Sequence, residues 1–164
     1  MISIDASTNV HLPADVVFEF VSDLTNNRLW LPWVLNTVKM SSGPTAVGST
    51  YRQTTSFYLG RRLTAALRVT AYEPNRSISF KPIEGPFRQT IAYSVQPAER
   101  GCRFACRVTT DFIGPFRLLE PLVSVTLTRR VRGYMRHEVA ALKRLLESEA
   151  TRGHLPALSG TMLA

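Results

Sequence analysis

The chain has 164 residues, 45% of them apolar, and a formal charge of +8. That length suits one domain with a full core, and no segment reaches the ~18 apolar residues of a membrane span. The charge favours anionic partners, but no zinc-ligand spacing, no helix-turn-helix pair and no basic stripe interleaved with aromatics marks a nucleic-acid binder.

Residues 2–10 (ISIDASTNV) alternate and predict a first strand. Pro13 suits the first turn of a helix, where a missing N–H costs nothing, and Asp15 favours the same end. Val16, Val17, Phe20, Val21 and Leu24 then recur at helical spacing, fading by Asn27. RLWLPWV at 28–34 contains Pro32, which blocks a continuous helix. A short second helix or a lid-like turn is expected there.

Strands follow in close succession. Val34 to Met40 is one, ended by SSGP. Ser49 to Leu59 is the next, then Leu63 to Ala71, turned by EPN at 73–75. Ser77 to Lys81 and Phe87 to Val95 come after it, with AERG at 98–101 as a hairpin loop. In the last strand Cys102, Phe104, Cys106 and Val108 face one way, and Arg103, Ala105, Arg107 and Thr109 the other. That is a sheet with one wet and one covered face. The two cysteines share a face but lie about 13 Å apart along the strand, too far to bond. They read as small buried hydrophobes.

A long helix is predicted from Pro121 to Glu149. Its apolar stripe runs Leu127, Val131, Tyr134/Met135, Glu138/Val139, Leu142 and Leu145/Leu146. A helix this long cannot bury its stripe alone; the partner is the concave face of the antiparallel sheet. Gly153, Pro156 and Gly160 mark 150–164 as a flexible tail after a single domain, 1–149.

This order resembles the Bet v 1-like, START-related superfamily, in particular the bacterial polyketide cyclase/dehydrase-like group. The matching pieces are LPADVVFEFVSDLTNNRLWLPWV at 12–34, VGSTYRQT at 47–54, LTAALRVTAYEPNRSISF at 63–80 and ALKRLLE at 141–147. The resemblance implies an α+β helix-grip fold. In it a seven-stranded antiparallel sheet wraps the long C-terminal helix, with two short N-terminal helices. It also implies an internal cavity for lipids, polyketides, sterols or aromatic compounds.

Inward-facing candidates for such a cavity are Tyr51, Gln53, Thr55 and Phe57 on one strand, and Phe80, Gln89, Tyr93 and Phe104 on others. Tyr134 and Met135 come from the long helix, and Trp30 and Trp33 from the lid region. Gln53, Thr55, Gln89, Tyr93 and Tyr134 supply polar groups to an otherwise apolar wall. Two inward glutamines favour a cavity over a packed core, where unpaired amides are costly.

Catalytic signals are thin. The three histidines, His11, His137 and His154, form no metal-ligand pattern. Glu138, beside the apolar stripe, and Asp111, at the end of the last strand, are the candidate carboxylates for proton transfer. No glycine-rich phosphate loop follows a strand, so no cofactor is expected. The leading expectation is a cytoplasmic protein that binds a small hydrophobic or amphipathic molecule. A polyketide cyclase or aromatase using the same cavity is the alternative. A third reading is an interaction module for protein or anionic membrane, built on Arg129, Arg130, Arg132 and Arg136 with the apolar Leu118, Leu119, Leu122 and Val123.

Overall fold

The computed structural model describes residues 1–56, 61–84, 87–112 and 120–153. Seven strands, β1 (Ile2–Val10), β2 (Val34–Lys39), β3 (Thr50–Ser56), β4 (Arg62–Glu73), β5 (Ser77–Pro82), β6 (Phe87–Ala98) and β7 (Gly101–Phe112), form one antiparallel sheet ordered β1-β7-β6-β5-β4-β3-β2. Two short helices, α1 (Ala14–Ser22) and α2 (Asn27–Trp30), flank a 3-10 turn, Leu24–Asn26, and a long helix α3 runs Glu120–Arg152. This is the α+β helix-grip arrangement.

Every hairpin strand pairs with its sequence neighbour, as short connections favour. The exception closes the sheet's far end: β1 pairs with β7, Val10 opposite Cys102 and Ile4 opposite Val108. The β6–β7 hairpin places Ala98 opposite Gly101, leaving two turn residues. Gly101 has φ +112, and a Cβ there would lie 2.1 Å from the Val10 carbonyl oxygen. Only glycine admits that approach, so this residue lets β1 hand over to α1 hard against the hairpin.

The β4–β5 turn uses Pro74 and then Asn75 at φ 59, closed by Arg76 N–H to the Glu73 carbonyl at 3.1 Å. Proline before a left-handed asparagine is the residue order of a tight type II turn. In β4 the expected alternation breaks at a bulge between Val69 and Ala71. The bulge turns Ala71 to solvent and brings Tyr72 onto the covered face.

Helices and sheet share one apolar cluster: Val17, Phe18 and Val21 from α1, Met135, Val139, Leu142 and Leu146 from α3, and the inward strand residues. On α3 the buried set repeats at 135, 139, 142 and 146, one face at helical spacing. That corrects the placement of Tyr134, which is 69% exposed: the face takes Met135 and leaves its neighbour outside. The helix also outlasts its predicted end, running to Arg152 with Gly153 at φ 70 just beyond. Residues 154–164, most of the expected tail, lie outside the described residues.

His11 ties the two ends of the fold together. Its backbone N–H and its Nδ1 each lie 2.9 Å from Glu147 Oε1. Modest burial pushes the Glu147 carboxyl up, but the His11 N–H, Lys143 and the His11 ring outweigh it and hold its pKa below the usual value.

Candidate functional site

The covered face of the sheet carries an aromatic cluster at its centre. The Tyr93 ring lies 5.2 Å from Phe80 and 5.7 Å from Phe104. Trp30 of α2 stands edge-on to Tyr93 at 5.6 Å and to Phe104 at 5.9 Å. Such tilted and edge contacts are the favoured aromatic geometry. The strand register makes this possible: Tyr93 opposes Ile78 on one side and Cys106 on the other.

Next to the aromatics lies a buried polar group. Asn27, Thr37 and Gln53 are 1%, 4% and 6% exposed. Gln53 Oε1 accepts from Thr37 Oγ1 at 3.3 Å and, at the 3.5 Å limit, from Asn27 Nδ2. Thr37 sits directly across from Gln53 in the β2–β3 ladder. The amide oxygen of Gln53 is therefore satisfied, which removes the reason for reading that residue as a mark of empty space. The orphans are elsewhere. Asn27 Oδ1 and Trp30 Nε1 are both buried without a hydrogen-bond partner. Three residues apart on α2, they project from one helical face.

Trp33 and Glu138 close the seam between β2 and α3. Trp33 Nε1 donates to Glu138 Oε1 at 2.6 Å. Burial raises the Glu138 pKa, and the Trp33 bond opposes that shift only in part. Burial likewise pushes the Tyr93 hydroxyl well up, with Cys106 and Glu138 adding to the effect and a side-chain hydrogen bond with Asn27 opposing it only in part. Burial lifts the Cys106 thiol to about 12, with Glu138 contributing, and Cys102 to about 11. Both cysteines are free and buried, too protonated to act as nucleophiles. Among the described residues no group of His, Cys, Asp or Glu could hold a metal ion.

Of the residues expected to line a pocket, Trp30, Gln53, Phe80, Tyr93, Phe104 and Met135 lie in the buried interior. Tyr51 is also buried, but its hydroxyl leaves the group for Thr45, 2.7 Å away in the β2–β3 connection. Thr55 is half-buried and commits its hydroxyl to the Leu63 carbonyl. Gln89 is half-buried on β6, opposite Thr110. Trp33 is 37% exposed at the seam, Tyr134 lies outside, and Phe57 falls outside the described residues. Sequence reasoning missed Asn27 and Thr37. Asn27 hid in the fading end of a helical pattern, and Thr37 is recognisable only once the β2–β3 register is known.

A separate cleft of about 420 Å³ opens between α1 and the β2–β3 connection. Val16, Phe20 and Tyr72 form apolar walls, and Glu19, Asp23 and Lys39 line it with charge. It lies away from the aromatic cluster, and none of the expected site residues lines it.

A family model described as polyketide cyclase/dehydrase and lipid transport matches residues 1–147. None of the curated proteins compared matches the chain. Among solved structures, TTHA0849 from Thermus thermophilus superposes with a TM-score of 0.71 at 14% identity, covering 91% of this chain and 99% of that one. The di-domain ARO/CYC BexL from the BE-7585A biosynthetic pathway gives 0.72 at 19% identity, covering 92% of this chain and 48% of that one. A Polyketide_cyc-like protein from Corynebacterium glutamicum gives 0.60 at 21% identity, covering 93% and 95%. At these identities the likeness is one of fold.

Proposed function

Because the chain belongs to the polyketide cyclase/dehydrase and lipid transport family, we propose that it binds a small hydrophobic or amphipathic molecule between its sheet and α3. The ligand is of lipid, polyketide-like or aromatic character. Its apolar body packs on Phe80, Tyr93 and Phe104. Its polar end accepts from Trp30 Nε1 and donates to Asn27 Oδ1.

The observation that carries this reading is the pair of orphaned polar atoms. A buried donor or acceptor left unpaired costs roughly 1–3 kcal/mol, so native interiors rarely keep one. Here one of each kind projects from the same turn of α2, beside an aromatic wall. A bound molecule with an adjacent acceptor and donor satisfies both.

The test begins with native mass spectrometry of freshly purified protein, followed by extraction and identification of any retained compound. Trp30→Phe is then compared with the parent for that compound. Loss of the indole N–H should weaken binding about fivefold to tenfold. The smaller ring also gives up packing on Tyr93 and Phe104, so stability falls in either case and binding is the readout. An empty protein, or a retained compound that Trp30→Phe binds as tightly as the parent does, overturns the reading in favour of a filled core.

A second reading, cyclase-type chemistry in the same space, is favoured by Glu138. A carboxyl whose pKa burial raises, beside an aromatic interior, suits general-acid catalysis. Turnover of an extracted or model polyketide that Glu138→Gln abolishes, with binding retained, would establish it.

A further inference from the structure

The exposed side of α3 carries a feature that ligand binding inside the fold does not use. Gly133 sits on the helix with nothing within 4 Å of where a Cβ would be. Its four surface neighbours on an α-helix are the residues three and four positions away. Those are Arg129, Arg130, Arg136 and His137, and all four are exposed. Arg132 and Tyr134, on either side of the glycine, are exposed as well, Tyr134 by 69%.

Among the described residues, no carboxylate lies within ion-pair distance of these arginines. The one acid in this stretch, Glu138, turns away to Trp33. The seam it forms leads to an exposed apolar strip, Leu29 at 51%, Trp33 at 37% and Leu35 at 43%. Arg28 lies beside it, also exposed.

The geometry points to a docking surface for an anionic phospholipid bilayer, formed by Arg129, Arg130 and Arg136 around Gly133 with Tyr134 and Trp33 at its edge. Three features favour a membrane over an acidic protein. The bare glycine lets the helix backbone lie close to a plane, and the cations ring it instead of converging on one point. Arg129 to Arg136 spans about 10 Å of helix, enough to meet several headgroups at once. Tyrosine, tryptophan and leucine beside arginine is the composition that settles at a lipid–water boundary. Attraction to anionic lipid supplies the affinity and is weakened by salt.

The test is co-sedimentation of the full chain with two kinds of vesicle: phosphatidylcholine alone, and phosphatidylcholine with a third phosphatidylglycerol. Binding is expected only to the anionic vesicles and should fall as salt rises. The triple substitution Arg129→Gln, Arg130→Gln, Arg136→Gln should weaken it about a hundredfold. The corresponding lysine triple should keep most of it, because a charged plane needs point charges and no fork geometry. All three positions are exposed, so melting temperatures should match the parent. Equal binding to neutral vesicles, or no binding to either, overturns the proposal. So does a glutamine triple that binds like the parent, or a lysine triple that fails. Tighter binding to a short DNA duplex than to the anionic vesicles also overturns it and assigns the arginines to an acidic polymer.

Discussion

Glu138 shows how one residue in the stripe of α3 takes on a character its neighbours lack. Met135 and Val139 flank it and are buried as ordinary core residues. Glu138 points instead to the seam, where its carboxyl meets the indole of Trp33. Its pKa is raised above 4.5, chiefly by burial. The folded state therefore binds this proton more tightly than the unfolded state does. The stability linked to it is full below pH 4.5 and is lost as pH rises through the folded value. Glu138→Gln keeps an acceptor for Trp33 and removes the charge. Its melting temperature should exceed the parent's at neutral pH, and the difference should shrink towards zero below pH 4.5. A difference independent of pH would mean that the carboxylate carries no burial penalty in the fold. The glutamate was visible in the sequence as the single interruption of an apolar stripe. Its partner was not, because 105 residues separate Trp33 from Glu138.

At the scale of elements, the strands were legible wherever alternation was clean and the turn residues spoke for themselves. Cys102 to Val108 lie on the face expected of them because side chains alternate strictly along a strand. Where alternation broke, prediction broke with it. The bulge in β4 exchanged Ala71 for Tyr72 on the covered face, and nothing in the pattern before it announces the extra residue. The β6–β7 hairpin shows a different limit. AERG reads as a turn, but the demand on its glycine comes from Val10, 91 residues earlier, whose carbonyl fills the place of a Cβ. Gly101→Ala should therefore destabilise the protein by more than about 3 kcal/mol, since it adds a backbone clash to a strained φ. Chemical denaturation measures this; a loss below about 1 kcal/mol would mean that β1 can move aside.

For the molecule as a whole, the single apolar cluster joins β1, α1, α2, α3 and the sheet, so the core should open as a unit. The cysteines report on that. Cys102 is 0% exposed and Cys106 7%, with burial holding their thiols at about 11 and 12. At pH 8 a disulfide reagent should leave both unmodified in the folded protein and modify both after denaturation. Their modification rates in mild denaturant should rise together. Faster reaction at Cys102 alone would reveal local opening of the β6–β7 end.

The sequence by itself determined the element order, the antiparallel sheet, the covered face of its best strand and the amphipathic helix that the sheet grips. These depend on periods of two and of 3.6 residues, which are local properties of the chain. The family likeness followed from the same apolar pattern. Only the tertiary structure decided which polar groups inside are paired. Gln53 is satisfied by Thr37 and Asn27, while Asn27 Oδ1 and Trp30 Nε1 are left open. It also decided that Tyr134 faces solvent and Met135 the core. Hydrogen bonding and burial depend on strand register and helix rotation, and those are set by packing between segments far apart in the chain.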